Sequence, residues 1–239
     1  MESYEKAINQ QKRINILLSV GLISLGLYVA IANSVTEFEE ISAERINIVE
    51  KSGLKRMVLA NSDKAPGAEK FGKEVFRTSS PRPGMIFYND EGTENGGFIF
   101  RGKKEDGTTN HGLHLSFDRY NQDQTLMVQH IEQPNYMVTG LTVMDRPDQD
   151  MDFELAREYI EAKKHGNTRK TKKIAKKYDK EKLGGTRRAF YGTLNGDSKL
   201  QLNDADGNNR IQMIVTKSGE AKLEFLSPKG EVIMSLPQK

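Results

Sequence analysis

The chain contains no cysteine, and this absence excludes several classes of site at once. Without a thiol there is no disulfide, no thiolate nucleophile, no cysteine zinc site and no lipid-bearing N-terminal cysteine. Tryptophan is also absent, which disfavours a platform for stacking sugars. Apolar residues make up only 36% of the chain, and many recur in short alternating runs. This composition favours a thin β-sheet core over a large globular one.

Common catalytic motifs are missing as well. The sequence holds no G-x-x-x-x-G-K-[ST] phosphate loop, no dinucleotide-binding glycine fingerprint and no G-x-S-x-G nucleophile turn. An enzyme would need a site assembled from dispersed residues. We therefore expect a protein without enzymatic activity and without a cofactor, and we keep a hydrolase acting on envelope material as an alternative.

The longest apolar run in the chain, Ile14–Ala32, carries no charge. A helix needs about 20 mostly apolar residues to cross a bilayer. The run therefore predicts a single-pass transmembrane signal anchor over residues 14–33, behind a cytoplasmic tail at residues 1–13. A cleaved signal peptide is the alternative, because Ala30 and Ala32 match the small-residue pattern of a cleavage site, although an ordinary apolar region of that kind is only about 7–15 residues long.

Basic residues flank this run unequally. Lys6, Lys12 and Arg13 precede it, whereas Arg45 stands alone among several glutamates after it. Since basic flanks stay in the cytoplasm, we expect a cell-membrane protein with a cytoplasmic N-terminus and an extracytoplasmic C-terminal domain. The lipid bilayer is then its first partner, and nucleic acid is not an expected one.

Three features favour a homo-oligomer. Gly26 and Ala30 lie four residues apart, a small-residue spacing that lets membrane helices associate closely. Residues 34–44 predict a short helical neck, because Val35 and Phe38 fall at helical spacing. The domain beyond it has little apolar surface for a large solitary core. A trimer is the expected form for a neck joined to a β domain.

Beyond the neck, the apolar period changes from helical to alternating. Apolar residues stand seven and five positions before a glycine in a repeated unit, which recurs at Gly53, Gly92, Gly207 and Gly230. Asp-Gly and similar turns between alternating apolar runs predict β-hairpins. We therefore expect a mainly β fold, a barrel- or meander-like repeat of hairpins, with its first part at residues 45–149 and its second part at residues 186–239.

Other strands are expected in alternating segments between these hairpins, at 97–102, 112–118, 124–131, 136–144 and 188–194. The segment at 61–84 is rich in proline, glycine and serine and predicts a long loop.

Residues 150–185 interrupt the β pattern with a predicted helical hairpin. The first helix is amphipathic with Asp150 as a plausible N-cap, and the second is almost wholly basic. Residues 163–188 carry twelve Lys and Arg against two acids, which leaves 24 basic and 31 acidic residues elsewhere. Such a block predicts a site for an anionic polymer, lipid or partner, or else a solvated charged helix. The predicted contacts are Lys163, Lys164, Arg169, Lys170, Lys172, Lys173, Lys176 and Lys177.

Candidate chemical groups elsewhere do not combine into a convincing site. His114, Ser116 and Asp118 share one strand face, but residues two apart on a strand lie about 6.6–7 Å apart, too far for proton transfer. His111 and His114, with His130 one strand later, suggest metal ligands, yet an odd separation puts the first two on opposite faces. We therefore expect no metal site.

The loops at 89–97 and 203–210 resemble calcium loops but lack the terminal acids of an EF-hand. Tight hairpin turns explain them better.

The sequence as a whole predicts a membrane-anchored extracytoplasmic structural or interaction module that binds a partner protein or an anionic envelope component. An accessory subunit of a larger membrane complex is an alternative.

Overall fold

The computed structural model describes residues 1–32, 37–77 and 82–237 and divides the chain into two units, Met1–Ser42 and Ala43–Lys239. The first unit is the helix α1, Glu2–Ala32. Its apolar part has a mean hydropathy of 2.2 and no buried residue, so the helix is long and apolar enough to cross a membrane, as a membrane anchor or a signal sequence is.

The prediction of a helical neck is wrong for the residues that the structure describes. Residues 34–36 lie outside the described residues, as does the last position of the predicted anchor, and residues 37–44 contain no helix. On a helix, Glu40 and Glu44 would lie four residues apart on one face, where like charges repel each other. Short isolated helices are marginal even with good helix formers.

The described residues of the second unit form fourteen strands and two helices. In chain order they are β1 Arg45–Val49, β2 Lys55–Ala60, β3 Ala68–Lys70, β4 Lys73–Phe76, β5 Gly84–Tyr88, β6 Glu94–Glu105, β7 Thr108–Asp118, β8 Gln124–Gln133, β9 Tyr136–Asp145, α2 Phe153–Lys164, α3 Thr168–Lys180, β10 Thr186–Leu194, β11 Asp197–Asn203, β12 Asn209–Val215, β13 Ala221–Leu226 and β14 Val232–Leu236. The predicted mainly β fold with a helical insertion is confirmed.

Twelve of the strands form one antiparallel sheet in which each strand pairs with its neighbours in sequence, β1-β2-β5-β6 and onward to β14. The arrangement is a meander, and it is not a closed barrel, since β1 and β14 are the two ends of the strand order. Short hairpin connections explain most of this order, because antiparallel strands joined by tight turns pair with each other. The β2–β5 and β9–β10 connections are longer.

The repeated sequence unit is a repeated turn in the structure. At Gly53, Gly92, Gly207 and Gly230 the glycine N–H donates to the carbonyl oxygen three residues earlier, at 2.8–3.0 Å. Each of these glycines has a positive φ, between 79° and 89°, a conformation that glycine adopts without steric cost. Each hairpin also has a β-bulge beside its turn. The shared turn thus fixes a shared register.

The predicted loop at 61–84 contains a small hairpin, β3–β4, which sequence reasoning missed. Phe71 and Gly72 form its turn, both at positive φ. The segment before this hairpin is buried at Ala65. The small core of the sheet, Val58, Ile86 and Tyr88, is also buried.

The helices α2 and α3 form the predicted hairpin between β9 and β10. Asp152 caps α2 by accepting the Leu155 N–H at 2.9 Å, and Asn167 caps α3 by accepting the Lys170 N–H at 3.0 Å. Asp150, the predicted cap, lies outside the helix and pairs instead with Lys70 at 3.0 Å.

Candidate functional site

The strand register divides the twelve-stranded sheet into two chemically different faces. Residues paired across neighbouring strands share a face, and side chains alternate along each strand. One series of pairs joins apolar residues from β1 to β14. We call this side the apolar face. Among its strand residues, charge occurs at Lys104 and Glu132, close to the tips of the two longest hairpins, and at Asp145, the last residue of β9.

Many large side chains of the apolar face are exposed in the single chain. The exposed members are Ile46, Ile48, Leu59, Phe98, Phe100, Phe117, Val128, Met137, Tyr191, Leu202, Met213, Val215, Met234 and Leu236. Near the middle of β10 and β12, Tyr191 is 68% exposed and Met213 is 52% exposed. By contrast, the buried residues Val58, Ile86 and Phe190 all belong to the opposite face.

From β8 to β14 this surface forms a shallow apolar trough of about 1070 Å³. Its walls include Val128, Leu141, Tyr191, Leu200 and Met213. Large contiguous apolar patches exposed on soluble proteins mark contact surfaces. The trough is therefore a candidate interface.

A group of charged side chains lies at one end of the opposite face. Arg82 donates to both carboxylate oxygens of Glu94, at 2.6 and 3.2 Å. Arg146, with a side chain only 6% exposed, lies 3.3 Å from the Asp123 carboxylate. These side chains and Asp118 are near a cavity of about 300 Å³, which Arg82, Glu94, Asp118 and Asp123 help to line.

Asp118 is the most perturbed carboxylate of this group. Burial, reinforced by the negative charges of Glu94 and Asp123, raises its pKa from 3.8 to about 7. Its Oδ1 atom is buried without a hydrogen-bond partner among the described residues. A carboxylate in this environment favours its protonated form near neutral pH.

The predicted arrangement of His114, Ser116 and Asp118 on one strand face is confirmed. Ser116 is buried, and burial lowers the pKa of His114. His114 Nε2 has no hydrogen-bond partner among the described residues, so no described contact links this histidine to the serine as a catalytic base.

The histidines group differently from the pattern that the sequence suggested. His111 and His114 lie on opposite faces, as expected. The register, however, places His111 directly opposite Glu132. His130 lies two residues before Glu132 on β8 and therefore diagonally across from His111, and all three side chains are on the apolar face. Potential ligand atoms of these three residues lie within 4.8 Å of one another. Sequence reasoning missed Glu132, because its proximity to His111 depends on strand pairing.

The loops that resemble calcium sites are hairpin turns, as interpreted. The Asp204 carboxylate accepts the backbone N–H groups of Asp206 and Asn208, each at 3.0 Å. Asn89 accepts the N–H groups of Glu91 and Thr93 in the same way, each at 3.0 Å. These oxygens therefore stabilise the turns.

The predicted polyanion contacts lie at the end of α2 and along α3, and the side chains of all eight are exposed. Lys170 pairs with Glu158 at 3.1 Å. No ion pair is recorded for the other seven within the described ranges. Arg169, Lys172, Lys173, Lys176 and Lys177 recur at three- and four-residue spacing and form one stripe on α3. We call these five residues the basic stripe.

The residues predicted for membrane-helix association, Gly26 and Ala30, both lie on α1. A Cβ atom at Gly26 would meet nothing within 4 Å, so this position is open in the single chain. Helix association through these residues stays a prediction.

No protein-family model, no curated protein and no solved structure matches this chain.

Proposed function

We propose that this protein is a membrane-anchored interaction module whose apolar face docks against a second copy of the chain. The observation that carries the proposal is the unbroken apolar register from β1 to β14, exposed on one side of the sheet. A sheet needs a second layer against its apolar side, and no described helix or strand of the second unit supplies one there.

The exposed area fits a dimer of copies. More than a dozen large apolar side chains, each exposing roughly 80 Å² or about half of its area, offer on the order of 1,000 Å² per copy. A standard stable interface buries about 800 Å² per partner. The same face on two copies is automatically matched in composition, because an isologous contact pairs a patch with itself.

The anchor and the orientation of the domain complete the proposal. The apolar helix α1 supports attachment to a bilayer, and Lys6, Lys12 and Arg13 before its apolar run favour a cytoplasmic N-terminus. Confinement to a membrane raises the effective concentration of copies, as linked binding sites do. This confinement adds to the affinity that the apolar faces have for each other in solution.

A charge placed on the apolar face tests the docking. We expect Met213→Lys and Tyr191→Glu each to weaken self-association at least about 100-fold, because an unpaired charge buried in an interface costs about 3–5 kcal/mol. The measurement is the mass of the full chain in mild detergent, by light scattering during size-exclusion chromatography over a range of concentrations. Far-UV circular dichroism establishes that each variant remains folded.

The matched control is Ile233→Lys. Ile233 is 68% exposed but lies at the bulge of β14, away from the apolar face, and its replacement should leave the mass unchanged. A wild-type chain that is monomeric at all concentrations contradicts the proposal, as do folded Met213→Lys and Tyr191→Glu variants that stay oligomeric. If Gly26→Leu dissociates the oligomer while Met213→Lys does not, the contact lies in α1.

A second function is favoured by the basic stripe, which would contact an anionic polymer or lipid headgroup. We expect the replacement of Arg169, Lys172, Lys173, Lys176 and Lys177 by Gln to shift elution from a heparin matrix to markedly lower salt, with little change in stability, because exposed charges contribute little to folding. A control with the same charge change replaces the exposed Lys51, Lys73, Lys104, Lys217 and Lys229. Equal shifts in both variants would rule out a localised site.

A further inference from the structure

We infer that His111, His130 and Glu132 form a binding site for a divalent zinc-like metal ion on the surface of β7 and β8. The inference is independent of the proposed docking, since it rests on these three side chains alone. His111 pairs with Glu132 across the two strands, and His130 lies two residues before Glu132 on the same face. Two imidazoles and one carboxylate are the protein ligands of many zinc sites with an open coordination position.

The distances suit an ion with modest adjustment. Ligand atoms of the three side chains lie within 4.8 Å of one another. Around a tetrahedral zinc ion with bonds of about 2.0–2.2 Å, ligand atoms lie roughly 3.3–3.6 Å apart. Rotation about side-chain bonds can close the difference, because none of the three residues is fully buried.

The surroundings orient both imidazole rings. His130 Nδ1 lies 2.7 Å from Thr139 Oγ1, the side chain directly opposite it on β9. When Nδ1 donates its proton to this hydroxyl, Nε2 is left with a free lone pair for a metal. Zinc-bound histidines characteristically donate their second ring nitrogen in this way.

The ring of His111 is positioned by the neighbouring strand. It lies against Gly102 of β6, where a Cβ atom would approach the ring Cδ2 to 2.6 Å. The His111 and His130 rings are 5.4 Å apart at an angle of 60°. Because Gly102 has no side chain, it leaves the space that the imidazole of His111 occupies.

The donor set selects the class of ion. Calcium and magnesium prefer all-oxygen ligands, whereas imidazole suits Zn²⁺, Cu²⁺, Ni²⁺ and Fe²⁺. Three ligands from the chain leave at least one coordination position for water or another donor. We assign Zn²⁺ as the preferred ion because His₂Glu combines borderline nitrogen ligands with a carboxylate.

The test uses the full chain in mild detergent, purified without a histidine tag and stripped of metal with EDTA. Isothermal titration with zinc chloride should show one bound ion per chain, and Co²⁺ should give the intense visible absorption of a tetrahedral site. We expect His111→Gln, His130→Gln and Glu132→Gln each to weaken zinc binding at least tenfold. Thr139→Val, which keeps every ligand but removes the hydroxyl, should weaken it about tenfold.

The matched control is His165→Gln, which removes an exposed histidine at the end of α2. Its zinc affinity should equal that of the wild type. The inference is wrong if the stripped wild-type chain binds no zinc, or if the ligand variants bind zinc as tightly as the wild type while circular dichroism shows them folded. Equal loss in His165→Gln would also overturn it, since binding would then be spread over all histidines.

Discussion

Replacement of Arg146 by Met is expected to lower the free energy of unfolding of the β domain by about 3–5 kcal/mol. The Arg146 guanidinium donates to the Gln124 carbonyl oxygen at 2.6 Å and to the Gly184 carbonyl oxygen at 2.5 Å. It also pairs with Asp123 at 3.3 Å, and its side chain is almost completely buried. Met retains apolar volume but leaves two carbonyl groups and one carboxylate without this donor.

The position of Arg146 explains the size of the expected effect. Gln124 begins β8, Arg146 directly follows β9, and Gly184 precedes β10 after the helical insertion. One side chain therefore joins three segments that are distant in sequence. Its loss should loosen the attachment of the α2–α3 hairpin to the sheet as well as reduce overall stability.

Urea denaturation of the full chain in mild detergent, followed by circular dichroism, measures the change. The control is Arg188→Met, because Arg188 is 37% exposed and pairs with the more exposed Asp145. A partly exposed pair of this kind contributes about 1 kcal/mol or less. If both variants lose the same stability, burial of the Arg146 contacts is not the cause.

Asp118→Asn is expected to stabilise the domain at neutral and alkaline pH by up to about 4 kcal/mol and to have little effect at pH 4. Burial, together with Glu94 and Asp123, raises the pKa of Asp118 from 3.8 to about 7. The folded domain therefore disfavours the ionised carboxylate. Asn has nearly the same shape and cannot ionise, so the variant lacks this cost.

The sign of the pH dependence follows from the two protonation states. Below about pH 4, Asp118 is protonated in the folded and the unfolded chain, and ionisation costs no stability. Between about pH 4 and pH 7 the unfolded chain ionises first, so the wild type loses stability relative to the variant. Above about pH 7, Asp118 is ionised in the folded domain as well, and the difference in the free energy of unfolding between the variant and the wild type becomes constant.

Thermal unfolding of both proteins across this pH range measures the difference. Asp106→Asn, a change at the exposed β6–β7 turn where Asn also tolerates the positive φ, should follow the wild type throughout. A gap between wild type and Asp118→Asn that does not widen from pH 4 to pH 7 would show that the carboxylate does not titrate in this window.

Local patterns in the sequence predicted most of the secondary structure correctly. Alternating apolar residues and turn glycines such as Gly207 specify β-hairpins through backbone conformation and side-chain periodicity, which act over a few residues. The helical insertion followed from its 3.6-residue period for the same reason. The neck prediction was wrong because spacing alone does not supply the tertiary contacts that stabilise a short helix.

The candidate sites were less predictable because they depend on which strands become neighbours. His111 and Glu132 are distant in sequence and meet through the register of β7 and β8. Arg146 gave no sequence signal of burial, since its partners are backbone carbonyls at Gln124 and Gly184. Strand pairing brings together residues from two separate segments, and a bulge beside the β7–β8 turn shifts the register between them.

By itself, the sequence determined an apolar N-terminal helix, a succession of β-hairpins and an inserted pair of helices, because periodicity, turn chemistry and capping are local properties. Only the tertiary structure decided that the hairpins form one open sheet with its apolar face exposed. It also decided which side chains meet at the His111 cluster and around Arg146. These features depend on the strand order, on the register and on which face of the sheet another element covers. All three arise when segments that are separate in sequence pack together.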